Sequence, residues 1–170
     1  SLEVRSAMED LKKMPPLAGM RFDVFFDQGV QVRQSLDNLR DLPDTVHWIR
    51  FSGASWTDDG KGFFYTRYPT PAKDSILTSK AINGKIYYHV VGTSDSQDRK
   101  IYERPDRPDW YINANVSEDG RLLFIVMNHG TEPNNLLYVA DLKDGKHPSL
   151  DAKIVPLYTG NDAEYIPLGN

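Results

Sequence analysis

Ser55-Trp-Thr-Asp-Asp-Gly60-Lys-Gly-Phe-Phe-Tyr65 is followed sixty positions later by Asn115-Val-Ser-Glu-Asp-Gly120-Arg-Leu-Leu-Phe-Ile125. Each stretch reads as the end of one strand, a tight Asp-Gly hairpin turn and the start of the next strand. Glycine after aspartate supplies the positive φ that such turns require. The pairing continues downstream. Lys85-Ile-Tyr-Tyr-His-Val90 matches Asn135-Leu-Leu-Tyr-Val-Ala140, and Lys100-Ile-Tyr102 matches Lys153-Ile-Val155. Each unit therefore has the order strand, hairpin, strand, loop, strand, turn, strand. A repeated unit of four antiparallel strands is the mark of a propeller blade, while a plain β-meander with coincidental turns is the competing reading.

Working outward, the expected strands are His47–Phe51, Ala54–Thr57, Gly62–Arg67, Lys85–Val91, Arg99–Glu103, Ile112–Ser117, Leu122–Met127, Leu136–Asp141 and Lys153–Tyr158. They are rich in Tyr, Phe, Ile and Val, the residues that suit a pleated surface. No helix is needed after residue 42, and residues 68–80 form the longest loop. The first 40 residues have a different texture. Leu2, Val4, Ala7, Met8, Leu11 and Met14 recur at helical spacing until Pro15 and Pro16 stop them. Met20–Phe26 alternates as a strand, and Val30, Val32, Leu36 and Leu39 suggest a second helix. The expected fold is thus mainly β: about two four-stranded antiparallel propeller-type blades, near 47–103 and 112–158, preceded by a helix–strand–helix segment. The domain division is 1–40 and 41–170.

At these same residues the chain resembles the prolyl oligopeptidase family of serine peptidases. The resemblance rests on Phe51-Ser-Gly-Ala-Ser-Trp56 running on to Pro69, then Lys85-Ile-Tyr-Tyr-His-Val-Val-Gly-Thr93, Pro105-Asp-Arg-Pro-Asp-Trp110 and Val116-Ser-Glu-Asp-Gly-Arg121, all in family order. It covers about three quarters of the chain. It implies the early blades of a propeller that caps an α/β-hydrolase domain and admits only short proline-containing peptides. The rest of the propeller and the hydrolase domain would lie outside this sequence. It also implies a substrate-binding set. Phe51 matches an aromatic pocket position, Tyr111 and Thr131 fall at pocket-lining positions, and Asn128 stands where many members carry a peptide-binding arginine. A neutral amide there weakens the role, because charge-assisted hydrogen bonds are about twice as strong as neutral ones. In the leader, Asp23-Val-Phe-Phe-Asp27 through Leu36 resembles a periplasmic porter segment of resistance–nodulation–division efflux pumps. That would make the chain a chimera joined near residue 41, the alternative being a divergent leader of the same protein.

Catalytic machinery is not recognisable. A hydrolase of this kind needs Gly-x-Ser-x-Gly between a strand and a helix. The nearest approach, Gly53-Ala-Ser55-Trp-Thr57, lacks the second glycine and precedes a hairpin, so Ser55 reads as a strand residue. His47, His89, His129 and His147 show no metal-ligand spacing. His89 reads as structural, and His129 sits in a loop with no partner visible in sequence. Asp58 and Asp59 belong to a turn. Asn115-Val-Ser117 fits the glycosylation pattern but lacks a secretory context. No phosphate-binding glycine loop supports a cofactor. The absence of cysteine excludes disulfides and thiol chemistry. A net charge of -4 argues against broad attraction to nucleic acid or anionic membrane. The expectations are therefore no cofactor, a cytoplasmic location by default, and self-association through open blade edges, either as a propeller piece or as a stand-alone interaction module.

Overall fold

The computed structural model describes residues 21–26, 30–35, 40–72, 80–144 and 147–167. Eleven strands follow in chain order: β1 (Arg21–Phe26), β2 (Val30–Ser35), β3 (Arg40–Val46), β4 (Ser55–Trp56), β5 (Gly62–Arg67), β6 (Lys85–Val90), β7 (Arg99–Glu103), β8 (Trp110–Val116), β9 (Leu122–His129), β10 (Asn135–Asp141) and β11 (Val155–Tyr158). They form a three-stranded sheet, β1-β2-β3, and two four-stranded sheets, β4-β5-β6-β7 and β8-β9-β10-β11. Every pairing is antiparallel between sequence neighbours, so each four-stranded sheet is an up-and-down blade. The described helix is one 3₁₀ turn, Asp95–Gln97.

The two hairpin turns share the same four hydrogen bonds. In the first blade Thr57 N–H reaches Gly62 O at 3.0 Å and Gly60 N–H reaches Thr57 O at 2.9 Å. In the second, Ser117 N–H reaches Leu122 O at 2.8 Å and Gly120 N–H reaches Ser117 O at 2.9 Å. Asp59 Oδ1 accepts from the Thr57 hydroxyl (2.7 Å) and Lys61 N–H (3.0 Å). Asp119 Oδ1 accepts from the Ser117 hydroxyl and Arg121 N–H at the same two distances, 2.7 and 3.0 Å. Gly60 (φ 63°) and Gly120 (φ 72°) supply the left-handed turn residue.

The main core lies between the blades. Phe64, Ile86 and Tyr88 of the first pack with Ile112, Leu123, Ile125, Met127 and Leu136 of the second. The opposite face of the first blade, with Phe63 and Tyr65, is covered by Val46 and Ile49. Burial on both faces explains why β5 is a continuous apolar run instead of an alternating one. Truncating Phe64, which is wholly buried, would cost about 3–5 kcal/mol.

Two expectations need correction. Val30–Ser35 is a strand paired on both sides, with β1 and with β3, where a second helix was expected. Its valines alternate with polar residues, and hydrogen-bond partners on both edges decide in favour of the sheet. His47–Phe51 is not a strand: only Ile49 bridges to Arg67. Positive φ at Trp48 (60°) and Phe51 (52°) breaks the extended backbone there. The expected division at residue 41 falls at the start of β3, after its first residue Arg40. The expected first helix lies outside the described residues.

Candidate functional site

Strand direction gathers the family-implied residues at one end of the blades. Phe51 lies on the crossover into β4, Tyr111 is the second residue of β8, and Asn128 is next to last in β9. Because β8 and β9 are antiparallel, Tyr111 and Asn128 are directly opposed. The Phe51 and Tyr111 rings meet at 5.0 Å between centroids, tilted by 54°. Phe51 is 67% exposed although its backbone is left-handed, a costly conformation for a bulky residue. An exposed aromatic ring held on a strained backbone gains little from burial, and such strain is concentrated at ligand-contacting positions. The structure thus brings Phe51, Tyr111 and Asn128 together. Thr131 is exposed in the following turn, on the same rim.

Asn128 is partly engaged, since its Nδ2 donates to Asn134 O at 3.4 Å across that turn. His129, beside it, has partners that the sequence did not reveal. Its Nε2 lies 3.2 Å from Asp109 and its Nδ1 3.2 Å from Glu132. The bond to Glu132, then that to Asp109, raises its pKa above the ordinary histidine value. Its ring also lies 5.7 Å from Trp110, over which Arg107 stacks at 4.3 Å. Nearby, Arg104 grips Asp106 through Nε (2.8 Å) and Nη2 (2.6 Å) and bonds the Tyr138 hydroxyl with Nη1. That grip holds the Asp106 carboxyl down at about 2. The rim is therefore made of aromatic faces flanked by paired charges.

Ser55 and His89 are held in structural contacts. Ser55 accepts the Val116 N–H at 2.7 Å with its hydroxyl oxygen and stitches the blades together. His89, fully buried, bonds Asp98 through Nδ1 at 2.7 Å, and Asp98 accepts the Tyr65 hydroxyl at 2.5 Å. Asp44 approaches His89 Nε2 to 3.7 Å and accepts the Gly92 N–H at 2.7 Å. This buried chain ties the end of β3 to the first blade and is closed to substrate. Asp58 and Asp59 lie in the hairpin turn, as their spacing suggested. Among the described residues no three His, Asp or Glu side chains converge as a metal ion would require.

Comparison with known proteins places these features. Residues 28–168 match the family described as prolyl oligopeptidase, N-terminal beta-propeller domain. Prolyl oligopeptidase A of Amanita bisporigera is 38% identical over 133 residues, which is 76% of this chain and 17% of that protein. The prolyl endopeptidase of Elizabethkingia meningoseptica is 36% identical over 75% of this chain and 17% of its own length. Among solved structures, prolyl oligopeptidase B from Galerina marginata, bound to a 35mer hydrolysis and macrocyclization substrate, superposes with a TM-score of 0.72. It is 30% identical and is aligned over 88% of this chain and 22% of that one. The chain thus spans about a sixth of the length of these curated relatives.

Proposed function

The chain belongs to the prolyl oligopeptidase family, in its N-terminal β-propeller domain, and from that membership we propose that it acts as the substrate-gating part of a proline-specific serine endopeptidase. In this reading the rim bearing Phe51, Tyr111, Asn128 and Thr131 faces a hydrolase domain and contacts short proline-containing peptides. The hydrolytic step belongs to that other domain. The observation that carries the reading is the convergence of Phe51, Tyr111 and Asn128 at one end of two blades, with the Phe51 ring exposed on a strained backbone. The family match from residue 28 takes in β2 and β3. That supports reading the leader strands as part of the same propeller and not as a foreign segment joined near residue 41.

The test has two parts. The purified chain is given a chromogenic proline peptide, with no turnover expected; turnover that disappears in Ser55→Ala would overturn the reading. A proline peptide is then titrated while ring resonances are followed, with shifts expected for Phe51 and Tyr111. Shifts confined to the opposite, hairpin end would count against the rim.

A second reading is favoured by β11. Val155 (42%), Leu157 (47%) and Tyr158 (49%) are exposed on the last strand of the second blade. An apolar outer edge of this kind invites strand pairing with another chain. Sedimentation equilibrium tests it: self-association weakened by Leu157→Lys is expected, and a monomer at high concentration would overturn it.

A further inference from the structure

We propose that Asn83 is a site of spontaneous deamidation, a built-in chemical clock on the loop between β5 and β6. Asn83–Gly84 is the one Asn-Gly pair in the sequence. Asn83 is exposed, with a left-handed backbone at φ 59°. Among the described residues, neither its side-chain carboxamide nor the Gly84 N–H makes a hydrogen bond. No bond therefore has to break before the two groups meet. A groove of about 210 Å³, lined by Asn83, Gly84, Lys85 and Glu103, admits water to the pair.

The chemistry balances without a cofactor. Gly84 N attacks Asn83 Cγ, forming the N–Cγ bond of a five-membered succinimide. The Cγ–Nδ2 bond breaks, and ammonia leaves carrying the proton lost from the Gly84 nitrogen. Water then opens the ring at either carbonyl, giving aspartate or isoaspartate. A side chain on the following residue would hinder the attack, and packing disfavours one here. A Cβ on Gly84 would lie 3.0 Å from Tyr68 Cε1 and 3.2 Å from Ile112 Cγ2.

The two hairpin turns show what protection looks like. Asp59 and Asp119 also precede glycines, but each carboxylate accepts two hydrogen bonds and each glycine N–H is bonded to a carbonyl. The product at Asn83 has a structural address. Asn83 N–H donates to Pro108 O at 2.6 Å, tethering the crossover that leads into Trp110 and Tyr111. Isoaspartate inserts a methylene into the main chain beside that tether and places a new negative charge in the groove with Glu103.

The test is to hold the full chain at mildly alkaline pH and physiological temperature, digest with trypsin at intervals and follow the Ala81–Lys85 peptide. Amide loss at Asn83 is expected ahead of every other asparagine-containing peptide, with isoaspartate identified by electron-transfer fragmentation. An Asn83→Gln chain, which keeps Gly84 and its packing, is expected to show no acid in that peptide. Hydrogen exchange at Arg107–Tyr111 is expected to quicken in aged wild-type chain and not in aged Asn83→Gln. Retention of the Asn83 amide after Asn134 or Asn161 has converted would overturn the proposal. Equal conversion in Asn83→Gln would do the same.

Discussion

Thr66 in the first blade donates its hydroxyl to the Ile112 carbonyl of the second at 2.6 Å, in a place closed to water. The contact joins the end of β5 to an outward-facing group on the edge of β8, the strand that begins the next blade. A blade edge that would otherwise need solvent is thereby satisfied by its neighbour's side chain. Thr66→Val keeps the shape and removes the donor, leaving a buried carbonyl unpaired. The expected loss is about 1–3 kcal/mol, read from the urea midpoint at unchanged slope.

Tyr65 gives the fold an alkaline limit. Burial first, then its bond to Asp98, pushes the phenol well above its ordinary value of 10.0. The folded state keeps the proton where the unfolded chain releases it. The contribution is therefore complete below pH 10 and is lost as pH rises beyond it. Thermal melts across that range are expected to fall more steeply for wild type than for Tyr65→Phe. Asp98→Ala, which strands His89 and the phenol together, is expected to destabilise at every pH by about 2 kcal/mol or more.

His129 has the same sign in a different window. Glu132 and Asp109 raise its pKa above 6.5, so the ordering of the β9–β10 turn is fullest below that value and declines as pH climbs through the raised one. An NMR titration is expected to place its midpoint above that of a free histidine. Glu132→Gln is expected to lower the midpoint more than Asp109→Asn, and equal values in all three chains would refute the ranking.

Phe51 is expected to behave unlike a core aromatic. Its ring is two-thirds exposed, and its left-handed backbone costs on the order of 1–3 kcal/mol. Phe51→Gly should therefore leave the melting temperature unchanged or raise it, whereas Phe51→Ala, which keeps the strain and loses the ring contact with Tyr111, should lower it slightly. Differential scanning calorimetry decides. A large loss in the glycine variant would mean that the ring is needed for packing.

What was legible in the sequence was what is local. The Thr57–Gly62 and Ser117–Leu122 turns are closed by groups within five positions of each other, so their chemistry could be read directly and the blades followed. Val30–Ser35 was not decidable locally, because alternating valines suit a strand as well as a sparse helix stripe and the outcome rests on β1 and β3. Trp48 and Phe51 adopt a conformation that their residue types oppose, which no propensity predicts. Asp109 reaches His129 from twenty positions away, and Asp44 reaches His89 from another sheet. Those pairings exist only once the blades have formed. The rim set of Phe51, Tyr111 and Asn128 was marked by likeness to a family, and nothing in their spacing would have grouped them.

The twin hairpins have an evolutionary corollary. Each turn fixes the register of its own pair of strands with side chains that travel in the same short segment of gene. Duplicating or deleting one unit therefore introduces no register error into its neighbours, since alignment is reset at every turn. A scaffold built this way can change its number of units by recombination at the crossovers, and selection need only repair the seams, where contacts such as Thr66–Ile112 and Ser55–Val116 are made.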